Sequence, residues 1–330
     1  MSVPISLGII GLGAMGSEML SVATVHPDFR VAFCAEIHPD NLDRAKRSYP
    51  EIRFTTSASD VISSKEIKAV YIATPPSFHA DYAIEAMENG KAVFCEKPLA
   101  VSRSDGEAMV ETAKRTGAIN VLNFALSDRR AVLEIERAMK SGELGEICGV
   151  EIRLAFPRWP RDFQAEAAWL AGRQQGGFMR EVFSHFAYLT DRLIGPLEPA
   201  FVQLEYPRGS LDESETSAYG LLYAGHVPVK VVGQTNTAVP EMYEWYLYGT
   251  QRSYCLRDWG NLFISNGKSW DKIVLDGERG SEMTRLTTFS KLIRGEKPDH
   301  HLPDFSVGLR VLQVVEAFHE GLPVANRTTG

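Results

Sequence analysis

The stretch Gly11-Leu12-Gly13-Ala14-Met15-Gly16 constrains the fold of this chain more than any other. It fits G-x-G-x-x-G and stands in the context that gives the pattern meaning. ISLGII before it reads as a strand, and a helix follows from about Ala14 to the stop at His26-Pro27. A second strand, RVAFCAE, then ends on Glu36, 20 residues after Gly16. Strand, glycine turn, helix and a second strand closing on an acid form a dinucleotide-binding βαβ unit. Gly11 is expected to allow the tight turn, Gly13 to let the backbone approach a pyrophosphate, and Gly16 to permit close helix packing. The pyrophosphate would rest on the helix N-terminus at Ala14 and Met15, where free N–H groups and the macrodipole favour an anion. Glu36 is placed to accept the ribose hydroxyls of NAD and to repel a 2′-phosphate. No arginine directly follows it, so NAD is expected in preference to NADP.

The same alternation continues to residue 122. Pro39-Asp40 opens a helix, a short strand lies near Ile52 to Phe54, and AVYIAT, AVFCE and AINVL supply three more strands. Helices from about Phe78 to Asn89 and Glu107 to Thr116 stop at Gly90 and Gly117. Six strands separated by helices predict a doubly wound parallel sheet. After Asn123 the texture changes. A helix ends at KSGELGEI, then CGVEIRLAF, AFVQLEY, AYGLLYA, VKVVGQT and YEWYLYGT follow as β-like runs. Helical patterns interrupt them only at about Phe178 to Leu193 and Ser306 to His319. The expected architecture is α/β: residues 1–122 form a doubly wound nucleotide-binding domain. Residues 123–330 form an α+β domain with an open, mainly antiparallel sheet.

Composition removes several function classes. Lys plus Arg number 35 against 42 Asp plus Glu, and a net charge of -7 disfavours a nucleic-acid partner. No segment approaches the ~18 apolar residues of a membrane span. The first basic residue is Arg30, so no positively charged leader is read, and a cytoplasmic location is expected. Cys34, Cys95, Cys148 and Cys255 lie far apart without C-x-x-C spacing, so neither a disulfide framework nor a metal site is expected.

Chemistry concentrates where the strands of the first domain end. Thr74-Pro75-Pro76 closes AVYIAT with two prolines that cannot extend a ladder, and such carboxyl-edge ends form the ligand crevice. Thr74 and Pro75 are therefore candidate cofactor contacts. His79 either joins them or is a helix N-terminal residue with no role. VFCEKPLA runs an apolar strand into Glu96, Lys97 and Pro98 at that same edge. Beside a bound nicotinamide the Lys97 ammonium could hold a substrate oxygen and stabilise developing negative charge. A surface lysine paired with Glu96 is the alternative.

Three stretches, GLGAMG, ATPPSFHADYAIEAMENGKAVFCEKPLA and SGELGEI, together resemble the glucose-fructose oxidoreductase, inositol dehydrogenase and rhizopine-catabolism (Gfo/Idh/MocA) family of NAD(P)-dependent oxidoreductases. The resemblance implies a Rossmann domain followed by an open-faced antiparallel sheet that carries the substrate site and often the oligomer interface. It also implies a homodimer or homotetramer, and a catalytic role for Lys97 in the matching E-K-P. The family motif G-G-G-x-x-x-D-x-G-x-H falls on QGGFMREVFSHF. Gly176 and Gly177 match, Glu181 stands at the aspartate position, Phe183 replaces a glycine, and His185 matches the histidine. At i and i+4 on a helix, Glu181 and His185 would share a face, so the carboxylate could orient the imidazole.

The implied activity is hydride transfer between nicotinamide and a secondary alcohol or carbonyl of a small molecule, a sugar or cyclitol. His185 would take the hydroxyl proton and Lys97 polarise the oxygen. A second reading is a carbonyl or imine reductase for a smaller substrate, with Trp159, Phe178 and Trp169 as pocket walls. In that reading Arg158, Arg161, Arg173 or Arg180 meets a substrate carboxylate. A third is a catalytically silent dinucleotide-sensing regulator.

Overall fold

A computed structural model describes residues 3–164, 167–277, 280–298 and 300–321. The chain forms two compact units, which are not consecutive halves. The first comprises Met1–Asp128 and Gly280–Leu309, the second Arg129–Arg279 and Arg310–Gly330.

In the first unit β1 (Ile5–Ile10), α1 (Ala14–Val25), β2 (Phe29–Ala35), α2 (Pro39–Ser48), β3 (Arg53–Thr55) and α3 (Ala58–Ser63) lead to β4 (Ala69–Ile72). Then come α4 (His79–Glu88), β5 (Ala92–Cys95), α5 (Arg103–Thr116) and β6 (Asn120–Leu122). The strands form a six-stranded sheet in the order β3-β2-β1-β4-β5-β6, all parallel. Every residue of β1, β4 and β5 is buried, as unbroken apolar runs require when helices cover both faces of a sheet. Strand order reverses between β1 and β4, which makes their carboxyl ends the switch point where such sheets bind ligands. Helix α5 starts earlier than its apolar pattern suggests, because Ser102 accepts from the Asp105 N–H as an N-cap.

The second unit holds α6 (Arg130–Lys140), β7 (Ile147–Phe156), and a π-helical turn at Met179–Phe183 that runs into α7 (Ser184–Leu193). It continues through β8 (Leu197–Glu205), β9 (Ser217–Ala224), β10 (Val227–Thr235), β11 (Met242–Gly249), β12 (Ser253–Arg257), β13 (Asn261–Ser265) and β14 (Asp271–Lys272). Their order is β14-β13-β12-β11-β7-β10-β9-β8. Neighbours are antiparallel except β7 and β10, which run parallel. One face is covered: the Trp245 indole of β11 donates to Thr190 of α7 at 2.9 Å. The other is open, and there the cross-strand neighbours Tyr219 and Val232 are exposed.

The chain then returns to the first unit through α8 (Glu282–Ile293), a helix not visible in the sequence, and enters α9 (Phe305–Glu320). Helix α8 packs against α1. Its Phe289 ring lies 6.1 Å from Phe29 and 5.2 Å from Phe94, and the buried Arg285 pairs with Asp128 at 2.9 Å. Its capping box uses Thr284 in place of the usual Glu or Gln, so the familiar start signal is absent.

Candidate active site

The glycine loop separates structural from ligand-facing demands. Gly11 has φ +88°, and a Cβ there would lie 2.7 Å from the Ala73 carbonyl oxygen. One on Gly16 would lie 1.9 Å from the Gly11 oxygen. Both positions are glycine because the protein itself leaves no room. A Cβ on Gly13 meets nothing within 4 Å, so the space over Gly13 is open. Gly13, Ala14 and Met15 are exposed, and the first turn of α1 has neither an acidic side chain nor a side-chain cap. Its N–H groups are thus available to an anion. Glu36 is buried, accepting from the Leu12 N–H at 2.6 Å and the His38 N–H at 2.8 Å. These bonds fix the carboxylate to the glycine loop, and each oxygen keeps further lone-pair capacity. An open glycine, an uncapped helix start and a loop-held carboxylate fit a dinucleotide.

At the carboxyl ends of β4 and β5 the structure sorts the candidates. Pro75 is exposed and Thr74 half-buried, its Oγ1 without a hydrogen-bond partner among the described residues. His79 is fully buried, with Nδ1 2.8 Å from the Pro98 carbonyl oxygen and Nε2 2.9 Å from that of Thr74. Both nitrogens face backbone carbonyls. Glu96 turns inward. It is buried, accepting from the Tyr71 hydroxyl and, at 2.6 Å, from the Asn123 side chain. Burial pushes its carboxyl and the Tyr71 hydroxyl upward from their ordinary values. Lys97 alone among residues 91–100 is not buried, and its peptide bond to Pro98 is cis.

The second unit builds its own cluster around the π-helical turn. Gly177 has φ +96°, and a Cβ there would strike the Glu215 carboxylate at 2.2 Å. Glu215, buried, accepts from the Met179 N–H at 2.8 Å and so fastens the start of the turn; burial pushes its carboxyl upward. Phe183 belongs to the core, edge-on to Phe318 at 5.3 Å. His185 is buried, and its ring meets Trp259 edge-on at 5.0 Å. Trp259 has φ +63°, a conformation that bulky residues adopt at a cost and that gathers at functional sites.

Glu181 meets residues that no local pattern joins to it: Gln164 donates to it at 2.9 Å and Arg161 approaches at 3.6 Å. Arg161 also nears Glu241 at 3.8 Å and lies over Phe163 at 4.7 Å. The other arginines are likewise engaged. Arg158 pairs with Asp162 at 3.2 Å, and Arg173 stacks on Tyr206 at 3.6 Å. Arg180 is buried against Glu316 at 3.0 Å and the carbonyls of Arg173 and Gly176. Trp159 and Phe178 are buried core residues against Phe156, while Trp169 is half-buried. No group of three or more metal-ligating side chains occurs among the described residues, and none of their helices is long and apolar enough to cross a membrane.

Residues 5–124 match the Gfo/Idh/MocA model, described as an oxidoreductase family with an NAD-binding Rossmann fold. The chain is 29% identical to scyllo-inositol 2-dehydrogenase (NAD(+)) of Bacillus subtilis strain 168, over 96% of this chain and 94% of that one. It is 28% identical to 2,7-anhydro-N-acetylneuraminate hydratase of Escherichia coli K12, over 52% of this chain and 45% of the relative. With that and other curated relatives the match spans about half of their length. The structure of levoglucosan dehydrogenase in complex with NADH shares the fold, with a TM-score of 0.82 over 96% of both chains at 19% identity. The glycine loop and the parallel six-stranded sheet agree with an NAD-binding Rossmann fold, and it is over residues 5–124 that the chain is similar to the Gfo/Idh/MocA oxidoreductase family.

Proposed function

We propose that this protein is an NAD-dependent oxidoreductase acting on a secondary alcohol or carbonyl of a small, uncharged polyhydroxylated molecule, a sugar or cyclitol. The observation that carries the reading is the open face of Gly13 beside a carboxylate bonded to the same loop. The N–H groups of Gly13 to Met15 would hold the pyrophosphate, and Glu36 the ribose hydroxyls. The nicotinamide, when bound, supplies the hydride acceptor or donor. Lys97 donates a hydrogen bond to the substrate oxygen and stabilises its negative charge. His185, whose ordinary pKa lies near neutrality, takes or returns the hydroxyl proton.

The reading with a carboxylate-bearing substrate loses support, because Arg158, Arg161 and Arg180 already face protein carboxylates and Arg173 an aromatic ring. Arg161 has two acidic neighbours, so its surroundings repel a further anion. Relatives include dehydrogenases and a hydratase, so the reaction class rests on the site and not on the fold. Purified protein is to be incubated with NAD and a panel of cyclitols, sugars, ketoacids and imines while nicotinamide absorbance is followed. NAD reduction with a polyol is expected. Tight NAD binding without turnover of any compound would favour a dinucleotide sensor instead.

A further inference from the structure

Two backbone carbonyls converge on one imidazole at the edge of the first sheet. The β4–β5 ladder ends at Ile72 and Cys95, followed by one more main-chain bond, from the Glu96 N–H to the Ile72 oxygen at 2.9 Å. Lys97 comes next. The residue before it, Glu96, is tied to Tyr71 and Asn123. The residue after it, Pro98, has its carbonyl 2.8 Å from His79 Nδ1, and His79 Nε2 reaches the Thr74 carbonyl at 2.9 Å. The ring thus lies between the loop after β4 and the loop after β5 beyond the point where the sheet stops. His79 is fully buried at the start of α4, so helix and both loops fix its position.

The neutral imidazole carries one N–H and both partners are carbonyl acceptors, so the ring donates to one of them. We infer that His79 is a positioning residue whose Nδ1–H donates to the Pro98 carbonyl and so sets the direction in which Lys97 leaves the sheet edge. This rests on the role proposed above for Lys97. Neither ring nitrogen is directed at a ligand, so His79 acts through the lysine and not on the reacting atoms. The two contacts are not equivalent, because Pro98 adjoins Lys97 and Thr74 does not.

Amide isosteres separate them. An asparagine amide falls near Nδ1 and keeps the link to Pro98; a glutamine amide falls near Nε2 and keeps the link to Thr74. Hydrogen exchange of the segment 96–100 is to be measured by mass spectrometry on free and NAD-loaded protein, with thermal melting as a check on folding. His79→Gln is expected to raise exchange there about tenfold, while His79→Asn stays within about twofold of wild type and β4 remains protected in both. With scyllo-inositol as the probe, His79→Gln should lower kcat about tenfold and leave KM for NAD within about twofold. In a Lys97→Ala background the further loss should be under about twofold, since the two residues act as a unit.

Unchanged exchange in His79→Gln, equal loosening in both variants, or losses that multiply with Lys97→Ala would each overturn this role. Should His79→Gln not fold, exchange in His79→Asn decides: wild-type protection supports the role and loosening overturns it. If scyllo-inositol is not turned over, the exchange comparison stands by itself. Full activity in Lys97→Ala would instead remove the functional reading, whatever the loops do.

Discussion

Adding a single methyl group at Gly13 tests the nucleotide site with little disturbance to the fold. In the free protein that methyl meets no atom within 4 Å, and Gly13 has φ -65° and ψ -161°, outside the left-handed region. Gly13→Ala gains about 0.4–1 kcal/mol by restricting the unfolded chain. It loses a similar amount because alanine is a poorer N-cap than glycine, so net stability should stay within about 1 kcal/mol. The methyl would nonetheless occupy the side from which a pyrophosphate approaches. A hundredfold loss of NAD affinity, about 2.7 kcal/mol, is expected at roughly 1.4 kcal/mol per decade. Gly16→Ala provides the contrast: its Cβ would overlap the Gly11 oxygen at 1.9 Å, which forces helix and loop apart. About 3 kcal/mol of stability should be lost, a melting shift of roughly 6–12 °C. Melting curves and NAD titrations on the two variants check this. A Gly13→Ala protein that binds NAD like wild type would show that the dinucleotide does not lie over this loop. One that melts like Gly16→Ala would show that the space is not open.

Glu36→Ala should weaken NAD binding and narrow the gap to NADP, measured by titration with both; a wild-type preference for NADP would contradict the ribose assignment. Lys97→Ala and His185→Ala should each lower turnover about 10²-fold with NAD affinity nearly unchanged, as read from kcat and dinucleotide titration. Glu181→Gln should cost less turnover than His185→Ala, with kcat compared on one polyol, because Glu181 is held by Gln164 and Arg161 and is assigned an orienting part, not proton transfer. Glu215 gives a pH test. Burial raises its folded carboxyl above the unfolded value, so its contribution is complete below the ordinary carboxylate range and declines as pH rises through the folded value. Glu215→Gln, whose amide oxygen can still accept from Met179, should match wild type in acid and melt higher toward neutral pH; a difference independent of pH would contradict this.

The six strands of the first unit were legible, while α3 and α8 were not, because what a buried strand requires is local. A strand buried on both faces must read as an apolar run, and β1, β4 and β5 do so. The glycine pattern likewise states its own geometry, since the clashes at Gly11 and Gly16 involve only the loop and the adjoining end of β4. What tertiary structure decided are the partners. Sequence position put Glu96, Lys97 and His79 at one sheet edge, yet Tyr71 and Asn123 draw Glu96 inward and two backbone carbonyls claim His79. Helix α8 takes its place through Phe29, Phe94 and Asp128, residues more than 150 positions away along the chain, and its capping threonine gives no local notice of it. Arginines read as open to a substrate carboxylate met Glu181, Asp162 and Glu316 instead. Backbone conformation follows from neighbours in sequence, whereas a buried charge must find its counterpart wherever the fold brings one, and that pairing is set by contacts far apart along the chain.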